Sequence, residues 1–264
     1  MTVLEPEVVA PVDPRMRARR IAVRRSGARK RLRRLVALGV VVVTLAAGGL
    51  ALRSPLLDVD RIEVLGAQHS GADVVRGASG IALRAAMIDV DTAAARSKLL
   101  ALPWVAEVSV TRRWPATVEV RVRERTAVAA EPAGQGGFAL VDGTGRVLAI
   151  EPAPPAGLVR LAGGAPAGTP GTDLAPEAGP ALAVAKALPP SLIPRVESVR
   201  TLQGGAVDLQ VAGTGVVHLG APDALQAKLL AALTVLEQVD LTDVCAIDVR
   251  VPSAPTLTRG SPCL

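Results

Sequence analysis

An uncharged apolar run sets the first limit on what this chain can fold into. From Leu35 to Leu52 it reads LVALGVVVVTLAAGGLAL, eighteen residues with one hydroxyl, at Thr44. As a helix it is about 27 Å long, enough to cross the hydrocarbon core of a bilayer. Residues 15–34 before it read RMRARRIAVRRSGARKRLRR, whereas Arg53 is the one basic residue in the few positions after it. The asymmetry predicts residues 1–34 as a basic cytoplasmic tail, 35–52 as a transmembrane helix, and everything beyond as extracytoplasmic. A cleaved signal peptide is the alternative, with small residues near Gly49 and Ala51 as its cleavage site. Both the 34 residues before the run and its own 18 are long for such a leader.

The charge partition narrows the function. Residues 1–34 carry 11 basic and 3 acidic side chains, which leaves 19 and 21 for the other 230. The basic character belongs to the tail, where it orients the anchor and can rest on anionic headgroups. The bulk lacks the basic footprint of a nucleic-acid-binding domain. Three aromatic residues, Trp104, Trp114 and Phe138, are too few for base-stacking platforms. With two cysteines, two histidines and no CxxC, a thiolate or imidazole metal site is hard to assemble. Antiparallel pairing about Ala254 would set Cys245 opposite Cys263, a disulfide candidate; two unrelated thiols are the alternative.

The first exterior block, 57–125, reads β-α-α-β-β. DRIEVL alternates and ends at Gly66, a short helix follows near 72–78, and VDTAAARSKLLAL offers Asp91 or Thr92 as N-cap with Ala95, Leu99 and Leu102 on one stripe. VAEVSVTRRWPATVEVRVRER is a hairpin turning at Trp114-Pro115. Ala106, Val108 and Val110 share a face with Val118, Val120 and Val122; Glu107, Ser109, Glu119, Arg121 and Arg123 point outward. The second block, 126–259, is expected to be mostly antiparallel with flanking helices. It has a hairpin in FALVDGTGRVLAI, a loop-rich stretch, a helix over 181–188, and strands at 195–202, 206–212 and 215–219. A helix over 222–239 carries Pro222 in its first turn, and CAIDVRV is a strand with a returning strand at 256–259. Residues 260–264 are a C-terminal tail. The fold class is therefore α+β.

In this order, VDRIEVLGA, DVDTAAARSKLLALPWVAEVSVTRRWPATVEVRVRERTAVA, FALVDGTGRVLA and IDVRVPSAP resemble the FtsQ/DivIB family of bacterial cell-division proteins. The 26 arginines against 4 lysines, with the Ala/Val/Gly bias, look actinobacterial. The resemblance implies a POTRA-type domain followed by the family's β-domain. It also implies a non-enzymatic organiser of the division septum that binds FtsB/DivIC-like and FtsL-like bitopic partners, which regulate the septal peptidoglycan synthase. In the family a partner adds a strand at the end of the β-domain. The matching segment here is Thr256, Leu257, Thr258 and Arg259, where Leu257 stands in for the family's aromatic anchors; a frayed C-terminal tail is the plain alternative. Arg112, Arg113 and Trp114 are a second candidate docking surface, unless Trp114 packs beneath its own turn, while Trp104 is expected in the core.

Two other functions compete with this reading. A tethered enzyme needs a nucleophile, a base and an oxyanion site in one pocket. His69 falls in a loop and His218 in a strand, with no GxSxG, HExxH or SxxK near either; Asp89, Asp91 and Asp248 read as caps, turn or surface residues. The GTG run lies in a hairpin turn, not between a strand and a helix as a phosphate loop requires. No cofactor, catalytic residue or metal ligand is expected. The remaining alternative is a regulator that works on envelope processes through its basic tail.

Overall fold

The computed structural model describes residues 14–212, 215–240 and 243–260, with side chains from Arg31 onward. Helix α1, Pro14–Leu52, is continuous over 39 residues, so the basic segment expected as a tail is helical from Pro14 with no break at residue 35. Arginine, alanine and leucine propagate helix well, which accounts for the continuity. Within Arg31–Leu52 an 18-residue window reaches mean hydropathy 2.5, and none of its residues is buried by protein. Arg31, Arg33 and Arg34 stand at the start of that stretch, so its uncharged part is the expected 35–52, about 27 Å long. The helix is thus long and apolar enough to cross a membrane.

After a single 3-10 turn at Pro55–Leu57 comes β1 (Arg61–Leu65), α2 (Ala72–Ser79), α3 (Thr92–Leu100), β2 (Val105–Arg113) and β3 (Thr117–Glu124), the expected β-α-α-β-β order. The sheet runs β1-β3-β2, parallel between β1 and β3 and antiparallel between β3 and β2. Gly66 ends β1 at φ 86, where a Cβ would sit 2.1 Å from the Val122 carbonyl oxygen, so only glycine fits. Asp91 caps α3 by accepting from the Ala93 and Ala94 amides at 3.0 and 2.9 Å. Val118, Val120 and Leu99 meet in the core beneath the two helices.

Two expectations for this hairpin fail. The register shifts between Val105 and Glu107, so Val105 is buried where Ala106 was expected, and Ala106 is half-buried. Glu119 is buried rather than solvated, because the Arg113 and Arg121 guanidiniums close over it at 2.7 and 2.6 Å. A carboxylate with two such donors keeps its charge solvated by protein instead of water.

The second unit holds β4 (Ala127–Pro132), β5 (Phe138–Asp142), β6 (Val147–Glu151), β7 (Val159–Ala162), α4 (Gly179–Ala187), β8 (Val196–Thr201), β9 (Val207–Val211), β10 (Gly215–Gly220), α5 (Leu225–Gln238), β11 (Val244–Asp248) and β12 (Thr256–Arg259). Among the described residues these form a nine-stranded sheet, β12-β11-β10-β9-β8-β7-β4-β5-β6. Five neighbouring pairs are antiparallel and three, β4·β7, β7·β8 and β10·β11, are parallel, so the sheet is mixed. The crossovers from β7 to β8 through α4 and from β10 to β11 through α5 start from strands of the same direction and step toward the same edge. Right-handed connections then put both helices on one face. The row Leu161–Val199–Leu209–Val217–Ile247 lies under them, each residue at most 1% exposed. The adjoining row, Arg200–Asp208–His218–Asp248, faces the uncovered side.

Helix α5 starts at Leu225, after Ala224 at φ 47, so Pro222 precedes the helix instead of sitting in its first turn. Lys228, 4% exposed, explains the later start: its Nζ donates to the Ala221 carbonyl at 2.9 Å and pairs with Asp223, tying down the chain ahead of the helix. Leu229 and Leu236 are buried, with Leu225 and Leu233 packed beside them, as their spacing requires.

The two units meet through β3 and β4, separated by Arg125 and Thr126. Arg125 donates to Asp142 Oδ2 at 2.6 Å and to the Val105 carbonyl at 3.2 Å, and Arg146 reaches the Ala101 carbonyl at 3.2 Å. Burial alone would raise the Asp142 carboxyl; bonds from Thr144, Arg125 and the Arg146 amide outweigh it and hold the group below its ordinary range.

Candidate functional site

Every residue of β12 is exposed, and this strand ends the nine-stranded sheet. Its inner side pairs with β11 through Ala246↔Thr258, Ile247↔Leu257 and Asp248↔Thr256. Its outer side carries backbone donors and acceptors with no neighbouring strand among the described residues, a template for strand addition. Leu257 extends the buried row from Leu161 to Ile247, and its side chain is still 37% exposed. Beside the turn into β12 lies an open groove of about 480 Å³, formed by Ala227, Leu230, Ala231 and Thr234 of α5 with Pro252 and Pro255. Leu230 on its wall is 63% exposed. The edge thus offers a hydrogen-bonding ladder flanked by an apolar depression, which suits an extended peptide with alternating side chains.

The edge is tied at its far end. Arg259 pairs with Asp243, the Gly260 amide donates to the Asp243 carbonyl at 3.0 Å, and Cys245 Sγ lies 3.4 Å from the Gly260 carbonyl oxygen. Cys245 is disulfide-bonded, and no described cysteine is free. The expected register is corrected: the pairing centres on Pro252, not Ala254, and slips by one at Val244↔Arg259. Pro252 and the turn around it close the hairpin two residues early, so Thr258 and Arg259, not Cys263, stand across from Cys245. Cys263 itself lies outside the described residues.

Arg113 and Trp114 belong to the other sheet, at the tip of the β2–β3 hairpin, and the fold does not join them to β12. Trp114 is 52% exposed and does not pack beneath its turn. Arg113 is engaged with Glu119, and Arg112 donates to the Val90 carbonyl at 2.6 Å. Trp104 is half-buried: it packs against Ala130, Leu140 and Leu148, and His69 stacks on it at 4.3 Å and 9° where the two units meet. Glu124 holds that stack: burial would raise its carboxyl, but the His69 and Ser70 amides and the His69 ring bring it down to about 2. His218 lies 2.9 Å from Asp208, and Arg250 chelates Asp248, whose carboxyl it lowers.

Glu131 on β4 escaped sequence reasoning. It is 2% exposed, Oε2 has no partner, and burial pushes its carboxyl up to about 7. Its one signal was a lone acid within AVAAEP. A Cβ on Gly164 would stand 2.8 Å from Oε1 and 3.6 Å from the Ala178 Cβ, so the carboxyl faces groups without reactive chemistry. Among the described residues no three His, Cys, Asp or Glu side chains gather as a metal site.

Comparison with known proteins agrees with this architecture. A family model described as "POTRA domain, FtsQ-type" matches residues 57–125, and one described as "Cell division protein FtsQ/DivIB, C-terminal" matches 130–250, stopping short of β12. The cell division protein FtsQ of Rhizobium radiobacter is 34% identical over 174 residues, covering 64% of this chain and 77% of that protein. That of Corynebacterium glutamicum is 33% identical over 133 residues, 48% of this chain and 57% of its own length. That of Mycolicibacterium smegmatis is 29% identical over 218 residues, 83% and 62% respectively.

Proposed function

Because the chain belongs to the FtsQ/DivIB family of bacterial cell-division proteins, we propose that it is a single-pass membrane scaffold of the division septum that acts by binding other proteins. Residues 1–34 lie in the cytoplasm, α1 crosses the cell membrane, and the units at 57–125 and 126–259 stand outside it. The charge step across the apolar run supports that orientation. The role needs no catalysis of its own. FtsB/DivIC-like and FtsL-like bitopic proteins are the partners, and through them the septal peptidoglycan synthase complex.

The observation that carries the reading is the exposed edge of β12. A partner segment pairs with the outer side of Thr256–Arg259 and sets an apolar side chain against Leu257, with the groove under Leu230 beside it. A Cys245–Cys263 bridge fastens the strand that receives it; the position of Cys245 Sγ beside Gly260 supports this pairing. Arg113 and Trp114 form a separate contact surface. Depleting the protein in its host should leave filamentous cells without complete septa, and chains lacking residues 253–264 should lose FtsB-like and FtsL-like partners on co-purification. Normal division after depletion overturns the role; undiminished co-purification overturns the edge.

A further inference from the structure

We infer that the membrane-proximal end of the 57–125 unit rests on the outer leaflet through an apolar contact made by Leu56, Leu83 and Ile88. This builds on the proposal that α1 spans the bilayer. The three side chains are 82, 57 and 44% exposed, a degree that marks an interaction surface when large apolar residues gather. They gather because the segment after α1 runs beside the loop between α2 and α3. Asp58 bridges Ala86, the Val59 amide donates to Ala85 and the Arg84 amide to Val59, each at 2.8 Å, and Arg53 pairs with Asp89 at 3.3 Å. Leu56 lies in the 3-10 turn Pro55–Leu57 and Ile88 in the one at Met87–Asp89, and the Asp58–Ala86 bridge with the Arg53–Asp89 pair holds these two turns beside each other. Arg84, at φ 64, turns the chain with Leu83 and its own side chain exposed. A non-glycine residue adopts that backbone only when its surroundings impose it.

The occupant follows from chain length. Leu56 is four residues beyond Leu52, the last residue of α1, and therefore at most about 14 Å from it. A surface held so close to the end of a spanning helix meets the headgroup and upper acyl region before any other structure. The contact is hydrophobic in origin. Asp58, Asp60, Asp89 and Asp91 are nearly balanced there by Arg53, Arg61, Arg84, Lys98 and Arg112, so attraction to anionic headgroups has little net charge to work on. The contact fixes the tilt of the first unit and with it the height of the second above the membrane.

The test uses the full-length chain in phosphatidylcholine vesicles whose acyl chains carry a quencher, with one fluorophore at a time on Val43→Cys, Leu56→Cys, Leu83→Cys, Ile88→Cys or Leu65→Cys. Leu65 is also exposed, at 47%, but stands at the far end of β1. Quenching at 43 establishes the span; its absence there sinks the proposed anchor itself. With 43 quenched, labels at 56, 83 and 88 should be quenched at least about twofold more than at 65. That excess should be equal in ~0.05 and ~0.5 M salt. Labels at 83 and 88 no more quenched than at 65 overturn the inference, as does an excess that disappears in salt. Shielding of 83 and 88 that appears only when another division protein is added assigns the patch to a protein and equally overturns it.

Discussion

Replacing Glu131 by glutamine should stabilise the protein at alkaline pH and change it much less in mild acid. The carboxyl is buried with Oε2 unpartnered, and its folded value stands near 7 against an ordinary 4.5. A group whose value rises on folding contributes its full stability below the unfolded value and loses it as pH climbs through the folded one. The window is thus about 4.5 to 7, and at about 1.4 kcal/mol per pH unit the loss sums to roughly 3 kcal/mol by pH 8. An amide has no proton to lose in this range, so Glu131→Gln should remove that slope. The assay is urea unfolding of the full-length chain in detergent, followed by far-ultraviolet circular dichroism at pH 5 and pH 8. The variant should gain roughly 3 kcal/mol over the wild type at pH 8 and no more than about 1 kcal/mol at pH 5. A gain of the same size at both pH values, or none at pH 8, would refute the claim that a buried ionisable carboxyl causes the effect.

Asp91→Ala should cost about 1 kcal/mol, read as a lower urea midpoint, because two amides at the start of α3 lose their acceptor. Gly215→Ala should cost more than about 2 kcal/mol: φ is 82 and a Cβ would lie 2.2 Å from the Cys245 carbonyl oxygen, which forces β10 and β11 apart. Equal stability to the wild type would mean that this end of the sheet relaxes freely. Cys245→Ser should speed amide exchange at residues 256–260 while leaving β7 to β9 unchanged, if the bridge fastens the edge strand; unaltered exchange there counts against it.

The elements easiest to read were those in which one local signal sufficed. Alternation placed β1 and β3, turn residues placed the DGTG hairpin, Asp91 or Thr92 marked the start of α3, and the leucine stripe revealed α5. Strands β4 and β7 were not legible. Ala127–Pro132 reads as an apolar run and Val159–Ala162 is four residues among prolines and glycines, yet both are central in the sheet. Central strands flanked on both sides need not alternate, and what identifies them is their parallel partner far along the chain. The same distance hid Glu131, whose burial is created by Gly164 and Ala178 arriving from other segments. At the candidate site the returning strand was found from its own residues, but its register was not. Three prolines, at 252, 255 and 262, leave the hairpin centre undetermined by symmetry, and the structure moved it by two residues. The contact surface at Arg113 and Trp114 was named without seeing that Glu119 occupies the arginine.

Strand addition at β12 is the central claim, and amide hydrogen exchange tests it most directly. The full-length chain in nanodiscs would be followed with and without the extracytoplasmic segment of an FtsB-like partner. Pairing along the outer edge should slow exchange at Thr256–Arg259 by at least about tenfold, with β4 to β6 at the opposite end of the sheet unaffected. Binding that leaves β12 exchanging at its free rate, or that protects only the hairpin tip around Trp114, would contradict it.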